Sequence, residues 1–229
     1  MQYKLKFIKL LILLSCLILL YFTFPEFFRI IDKHLFLFLN KTCLNNKLGQ
    51  YVFGFLSHKN ESWINVIIML GVNILSIFIF SRINKQHLNK SIAIILYCWL
   101  SFQMVLLFNY IVFQKFLQIN RDSPSVIFNE AIRLSVTFNN LNIKDYSNNS
   151  FPAGHALFLI YWILFVNLQG LRSIKIISWI LGILFVLPRM VTGAHWVSDT
   201  VFSLLLGWIY FNISMWFANS YEQIKQRIY

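Results

Sequence analysis

Charge is scarce in this chain. Of its 229 residues, 12% are Asp, Glu, Lys or Arg, against about one quarter in a soluble domain. Cysteine is nearly absent too. Cys16 and Cys98 fall in apolar runs and Cys43 stands alone in a loop. With no CxxC and no His at ligand spacing, neither a disulfide framework nor a metal site is expected. No internal repeat, linker or low-complexity tract divides the sequence, so residues 1–229 read as one domain. The net charge of +12 forms no basic stripe. Lys and Arg are scattered at helix ends, which argues against nucleic acid and for a membrane surface.

What the chain has instead is apolar length. It is 58% hydrophobic and 18% aromatic, arranged in long runs that mark a membrane protein. Ser62–Ser81, Ser91–Gln114 and Thr200–Tyr221 each pass 20 or more residues without a charge. Leu10–Phe24 is a fourth run, with Lys9 able to snorkel, and Ala156–Leu171 is a fifth. Ile176–Pro188 is a sixth, but its length falls short of a hydrocarbon core of roughly 30 Å. It spans only if Lys175 snorkels and Arg189 lies in a hydrated pocket. The expectation is an all-α membrane protein with a bundle of six transmembrane helices. The first run has a basic start but is followed by Tyr-Phe-Thr-Phe-Pro-Glu, without a small-x-small cleavage site. It reads as an uncleaved anchor.

Six spans put both termini on one side. The N-terminus, residues 82–90, the turn at Arg172 and Lys175 and the tail with Lys225 and Arg227 carry half of the 20 Lys and Arg. They do so in far less chain than the opposite loops, so the positive-inside rule places the termini in the cytoplasm. Two outer loops then break the helical pattern. Pro25–Glu61 has apolar clusters, Leu35–Leu39 and Tyr51–Leu56, suited to short helices in the interface. Lys115–Gly154 is too long for a passive connector.

Chemistry-bearing residues gather at the outer ends. Arg189, His195 and Asp199 are spaced Arg-x5-His-x3-Asp. In helical geometry positions i and i+4 share a face, so Asp199 can sit under the His195 ring and fix its tautomer. Arg189 is a permanent cation whose planar fork suits phosphate oxygens. Upstream lie Arg121-Asp-Ser-Pro and Ser150-Phe-Pro-Ala-Gly-His155. A bundle can bring three such motifs together, and ionisable residues at membrane depth are functional candidates. His34, His58 and His87 have no partner pattern and read as surface or interface residues.

These motifs resemble the type 2 phosphatidic acid phosphatase superfamily. Its third motif, Ser-Arg-x5-His-x3-Asp, is matched with Pro188 in place of Ser. Its second, Pro-Ser-Gly-His, is matched by Pro152, Gly154 and His155 with Ala153 in place of Ser. Its first, Lys-x6-Arg-Pro, is matched loosely at Arg121. Gln114 stands at the lysine position and Lys115 one step later, a rotation of roughly 100° around a helix. The pattern looks most like the Gram-negative lipid A phosphotransferases, which the stretches around Ile31-Asp32 and Arg133–Asp145 also resemble. The resemblance implies His195 as nucleophile through a phosphohistidine, Asp199 as holder of its ring and His155 as general acid and base. It implies Arg121 and Arg189 as clamps on the phosphoryl oxygens, with Lys115 as a third cation and Gly154 lending backbone N–H groups. Neither cofactor nor metal is required.

The expected reaction passes the terminal phosphate of undecaprenyl diphosphate to lipid A 1-phosphate, at the periplasmic face of a bacterial inner membrane. Water as acceptor would make the chain a lipid phosphate phosphatase. A transporter or inactive scaffold is the rival from another class, but no polar residues pair at mid-membrane, where secondary transporters bind.

Overall fold

The computed structural model describes residues 2–58, 88–119, 121–139, 141–169 and 172–228, and helix dominates throughout them. Among the described residues the sole β pairing is an isolated antiparallel bridge between His58 and Ile143. The helices are α1 (Gln2–Thr23), α2 (Pro25–Leu44), α3 (Lys47–Leu56), α4 (Leu88–Asn109), the short α5 (Pro124–Ile127) and α6 (Leu134–Thr137), then α7 (Gly154–Gln169), α8 (Arg172–Val191) and α9 (Val197–Ile228). A π-helical turn, Tyr110–Phe116, extends α4. The expected run Ser62–Ser81 lies outside the described residues.

α7 is apolar on every side and buried on nearly every side, as a helix without an amphipathic stripe must be. Ala156, Leu157, Leu159, Ile163 and Val166 are all buried. It packs between α8 and α9. On α8 the buried positions Ser178, Gly182 and Val186 recur every four residues. A Cβ at Gly182 would lie 2.7 Å from Ile163 Cδ1, so this small-residue stripe is what lets α7 approach closely. The opposite face of α8 exposes Ile176, Ile180, Ile183 and Leu184, a patch that belongs against lipid rather than water.

The sixth run is longer than the uncharged stretch implied. α8 runs over 20 residues, from Arg172 through Pro188 to Val191, or about 30 Å. It and Val197–Ala218 of α9 are long and apolar enough to cross a membrane. Counting uncharged residues cut α8 short at both ends, because Arg189 is satisfied inside the protein.

Within the first long loop the described residues 25–56 are largely helical, as the apolar clusters suggested. Pro25 opens α2 at a position where its missing N–H is harmless, one residue after α1 ends. Asp32, Phe36, Asn40 and Leu44 form a buried stripe at four-residue spacing, while Phe27, Ile30, Ile31 and Phe38 are exposed. The Asn40 amide donates to the carbonyls of Ile132 (3.1 Å) and Val191 (3.0 Å) and accepts from the Ile132 N–H (2.8 Å). These bonds tie α2 to the loop between α5 and α6 and to the end of α8, beside which the candidate site lies.

Candidate active site

The spacing Arg-x5-His acquires its meaning from the turn after α8. The Thr192 N–H and hydroxyl both reach the Pro188 carbonyl at 2.9 Å. Ala194 and His195 then donate their N–H groups to the Arg189 carbonyl, at 2.9 and 3.1 Å. The chain can fold back because Gly193 has φ +86, a left-handed conformation that costs other residues dearly. Space also demands glycine there, since a Cβ would lie 2.7 Å from Ser125 Cβ and 2.9 Å from the Phe36 ring.

His195 is buried, and its Nδ1 lies 2.8 Å from the Ser150 carbonyl oxygen. A carbonyl only accepts, so Nδ1 carries the proton and Nε2 keeps the lone pair. Nε2 is buried and has no hydrogen-bond partner. The His155 ring is 6.1 Å away, centroid to centroid. Burial pushes the His195 imidazole down from its usual 6.5 to about 4; the Ser150 bond opposes this, and the charges of Lys144 and Arg189 reinforce it. The ring is therefore neutral at pH 7, the state a nucleophile needs.

Asp199 does not hold that ring, and this corrects the i, i+4 expectation. α9 begins only at Val197, so His195 and Asp199 do not share a helix. The Asp199 carboxylate instead accepts from Arg121 Nη1 and from the Ser150 hydroxyl, the latter at 2.7 Å. Ser150 is thus the junction of all three motifs. Its N–H reaches the Arg121 carbonyl at 2.7 Å, its hydroxyl reaches Asp199 and its carbonyl orients His195.

Arg121 has carboxylate partners that the motif did not announce. Its guanidinium bridges Asp199 and Asp32 (Nη2 to Oδ2, 2.8 Å), donates to the Ser198 hydroxyl at 3.1 Å and lies 4.6 Å over the Trp196 ring. Two buried carboxylates engage it, so it organises the protein around the site. Arg189 is 4% exposed and directed by the carbonyls of Ser57 (3.0 Å) and Lys144 (3.3 Å). Its charge and that of Lys144 act on both imidazoles. Lys115 is exposed in the π-helical turn, with Nζ 5.6 Å over the Tyr110 ring. The third cation beside the histidines is Lys144, which sequence spacing did not suggest.

Gly154 opens α7, as expected, with open space where a Cβ would stand. Ala153 is buried, and its N–H donates to the Ser203 hydroxyl at 2.8 Å. Asp32 was missed as a site residue. Its Oδ1 accepts the Ser198 N–H at 2.8 Å, capping α9 from another helix, and its Oδ2 takes the Ser198 hydroxyl and Arg121. Burial raises the Asp32 carboxyl above its usual range, and the Ser198 and Arg121 bonds oppose the rise. Among the described residues no group of His, Cys, Asp and Glu could hold a metal ion.

The PAP2 superfamily model matches residues 96–222, more than half of the chain, and this stretch holds both histidines. The chain belongs to the PAP2 superfamily. Members of this PAP2 group are phosphatases and phosphotransferases acting on lipid phosphates. Over 88 residues, 38% of this chain, it is 30% identical to Lipid A 1-diphosphate synthase of Escherichia coli (strain K12). That match spans 37% of the relative's length. A crystal structure described as the first transmembrane PAP2 type phosphatidylglycerolphosphate phosphatase, from Bacillus subtilis, is 17% identical with a TM-score of 0.37. The alignment covers 83% of this chain and 96% of that one.

Proposed function

We propose that this PAP2 protein is a lipid phosphotransferase that moves the terminal phosphate of undecaprenyl diphosphate to lipid A 1-phosphate. The observation that carries the phosphoryl-transfer reading is the buried, unpartnered Nε2 of His195, set beside His155 and under the charges of Arg189 and Lys144. The acceptor follows the name of the lipid A relative, and the donor follows the resemblance of the motifs to the lipid A phosphotransferases.

In this reading the Nε2 lone pair attacks the terminal phosphorus. The P–O bond to undecaprenyl phosphate breaks, and His155 protonates the leaving oxygen. The charge arriving with the phosphate favours that proton on His155. Arg189, Lys144 and the N–H groups at the start of α7 bear the charge on the phosphoryl oxygens. An oxygen of lipid A 1-phosphate then attacks the phosphohistidine and returns His195 to its neutral form. Six spans, cytoplasmic termini and a periplasmic site in the inner membrane complete the proposal. The basic density of the short loops supports that orientation.

The test is to incubate the purified protein with labelled undecaprenyl diphosphate, with and without lipid A. Label in lipid A marks the transferase. Label released only as inorganic phosphate makes water the acceptor, and an inert protein with no acid-labile label sinks the reading.

A further inference from the structure

We infer that Asp32, on the opening outer helix, is a positioning residue of the phosphoryl-transfer site, acting through Arg121 and Asp199 on Ser150 and so on His195. The inference rests on the phosphoryl-transfer reading above and adds a residue outside all three motifs. Asp32 is 1% exposed and bonded to Arg121, to the Ser198 N–H and to the Ser198 hydroxyl. From there the chain is continuous. Arg121 donates to Asp199, Asp199 accepts the Ser150 hydroxyl, and the Ser150 carbonyl fixes the His195 Nδ1 proton.

Anchoring α2 does not by itself account for a carboxylate here. Asn40, two turns along the same buried stripe, already ties α2 down with three neutral hydrogen bonds. A buried ionisable group is costly to desolvate and seldom the cheapest way to join two helices. What Asp32 adds is a second acceptor for Arg121. With one carboxylate on each side, the guanidinium is held between α2 and the first turn of α9, over the Trp196 ring. That fixes which Asp199 oxygen is left for Ser150. With Asp32 uncharged, the pull of Asp199 on the Arg121 guanidinium is no longer balanced, which draws the carboxylate from Ser150 and loosens the carbonyl that sets the imidazole.

The experiment compares Asp32→Asn with Asn40→Ala. Each is read by the rate of phosphoenzyme formation and by the nitrogen resonances of His195 in labelled protein without substrate. Asp32→Asn should slow phosphoenzyme formation by about ten- to a hundredfold, the range for loss of an outer partner that orients a functional histidine. KM should change little, and the His195 signals should move from one tautomer to a mixture. Asn40→Ala should lower thermal stability and leave the ring signals unchanged. Where Asp32→Asn does not fold, Ser198→Ala removes the hydroxyl's two bonds to Asp32 and Arg121 while keeping the Asp32–Arg121 ion pair, and should shift the signals in the same direction by less. Unchanged signals in Asp32→Asn or Ser198→Ala overturn the inference, as does an equal change in Asn40→Ala. If the native protein forms no phosphoenzyme, the functional reading fails, while the resonances still report whether Asp32 sets the ring.

Discussion

The His195 imidazole is bonded through Nδ1 to the backbone carbonyl of Ser150, 2.8 Å away. A serine protease triad puts a carboxylate at that position. Here the carboxylate of Asp199 is one step removed, on the hydroxyl of the same serine. The tautomer is therefore set by a group that no side-chain substitution removes.

Asp199→Asn tests this arrangement directly. In a triad whose carboxylate touches the ring, the same change costs about 10⁴ in rate by favouring the wrong tautomer. With Ser150 as the direct partner, the loss should be clearly smaller, and nitrogen resonances should show a mixture of tautomers in which the proton on Nδ1 still predominates. His195→Ala should abolish the phosphoenzyme altogether. A full 10⁴ loss with the tautomer reversed would restore the direct carboxylate–imidazole pair.

The pH dependence follows from burial of His195. Its folded value of about 4 lies below the 6.5 of an unfolded chain. Between those values the unfolded state binds the extra proton, so stability rises with pH across the window and is lost as pH falls toward 4. A shift of that size is on the order of 3 kcal/mol. Thermal unfolding in detergent should therefore fall more steeply from pH 6.5 to 4 in the native protein than in His195→Gln. Parallel curves would mean that the ring is not buried as a neutral group.

The spacing of the third motif was legible because its bonds are local. The Arg189 carbonyl receives the N–H groups of Ala194 and His195, and a motif that encodes a turn shows in a single sequence. The apolar character of α7 and α9 was legible for the same reason. Asp32 and Lys144 were not. Asp32 acts on residues 89 and 166 positions away, and Lys144 sits where the loop before α7 meets Ser57 and Arg189. Nothing in local periodicity ties such pairs together. The partners of Arg121 were hidden for a related reason: a motif arginine looks the same in sequence whether or not two carboxylates engage it.

Gly193→Ala should be among the most damaging single changes in the chain. The positive φ alone costs a side chain roughly 1–2 kcal/mol, and forcing a methyl against Ser125 and Phe36 adds about 1–3 kcal/mol. A drop in unfolding midpoint and loss of activity together are expected. Phe36→Ala should not rescue it, because the nearer contact is to Ser125 Cβ. Full rescue would show that space alone, and not the backbone conformation, demands glycine.

Orientation in the membrane is open to a thiol-labelling test. In a background lacking Cys16, Cys43 and Cys98, Asn148→Cys places a thiol at an exposed position in the second outer loop, and Ser173→Cys places one at the exposed start of α8. A membrane-impermeant reagent applied to whole spheroplasts should label the first and spare the second. The reverse pattern would put the histidines on the cytoplasmic side.

The two lysines can be separated by charge removal. Lys144 acts electrostatically on His195, and its main chain positions Arg189, whereas Lys115 is exposed over Tyr110. Lys144→Met keeps the backbone contacts and removes only the ammonium. It should weaken substrate binding, raising KM by about tenfold or more, since a cation paired with phosphate is worth on the order of 1.5–3 kcal/mol. It should also raise the pH of the His195 acid limb, because one of the charges opposing protonation is gone. Lys115→Met should move KM far less and leave the acid limb in place. If Lys115→Met proves the more damaging of the two, the lysine of the first motif reaches the phosphate after all, and Lys144 serves only to seat Arg189.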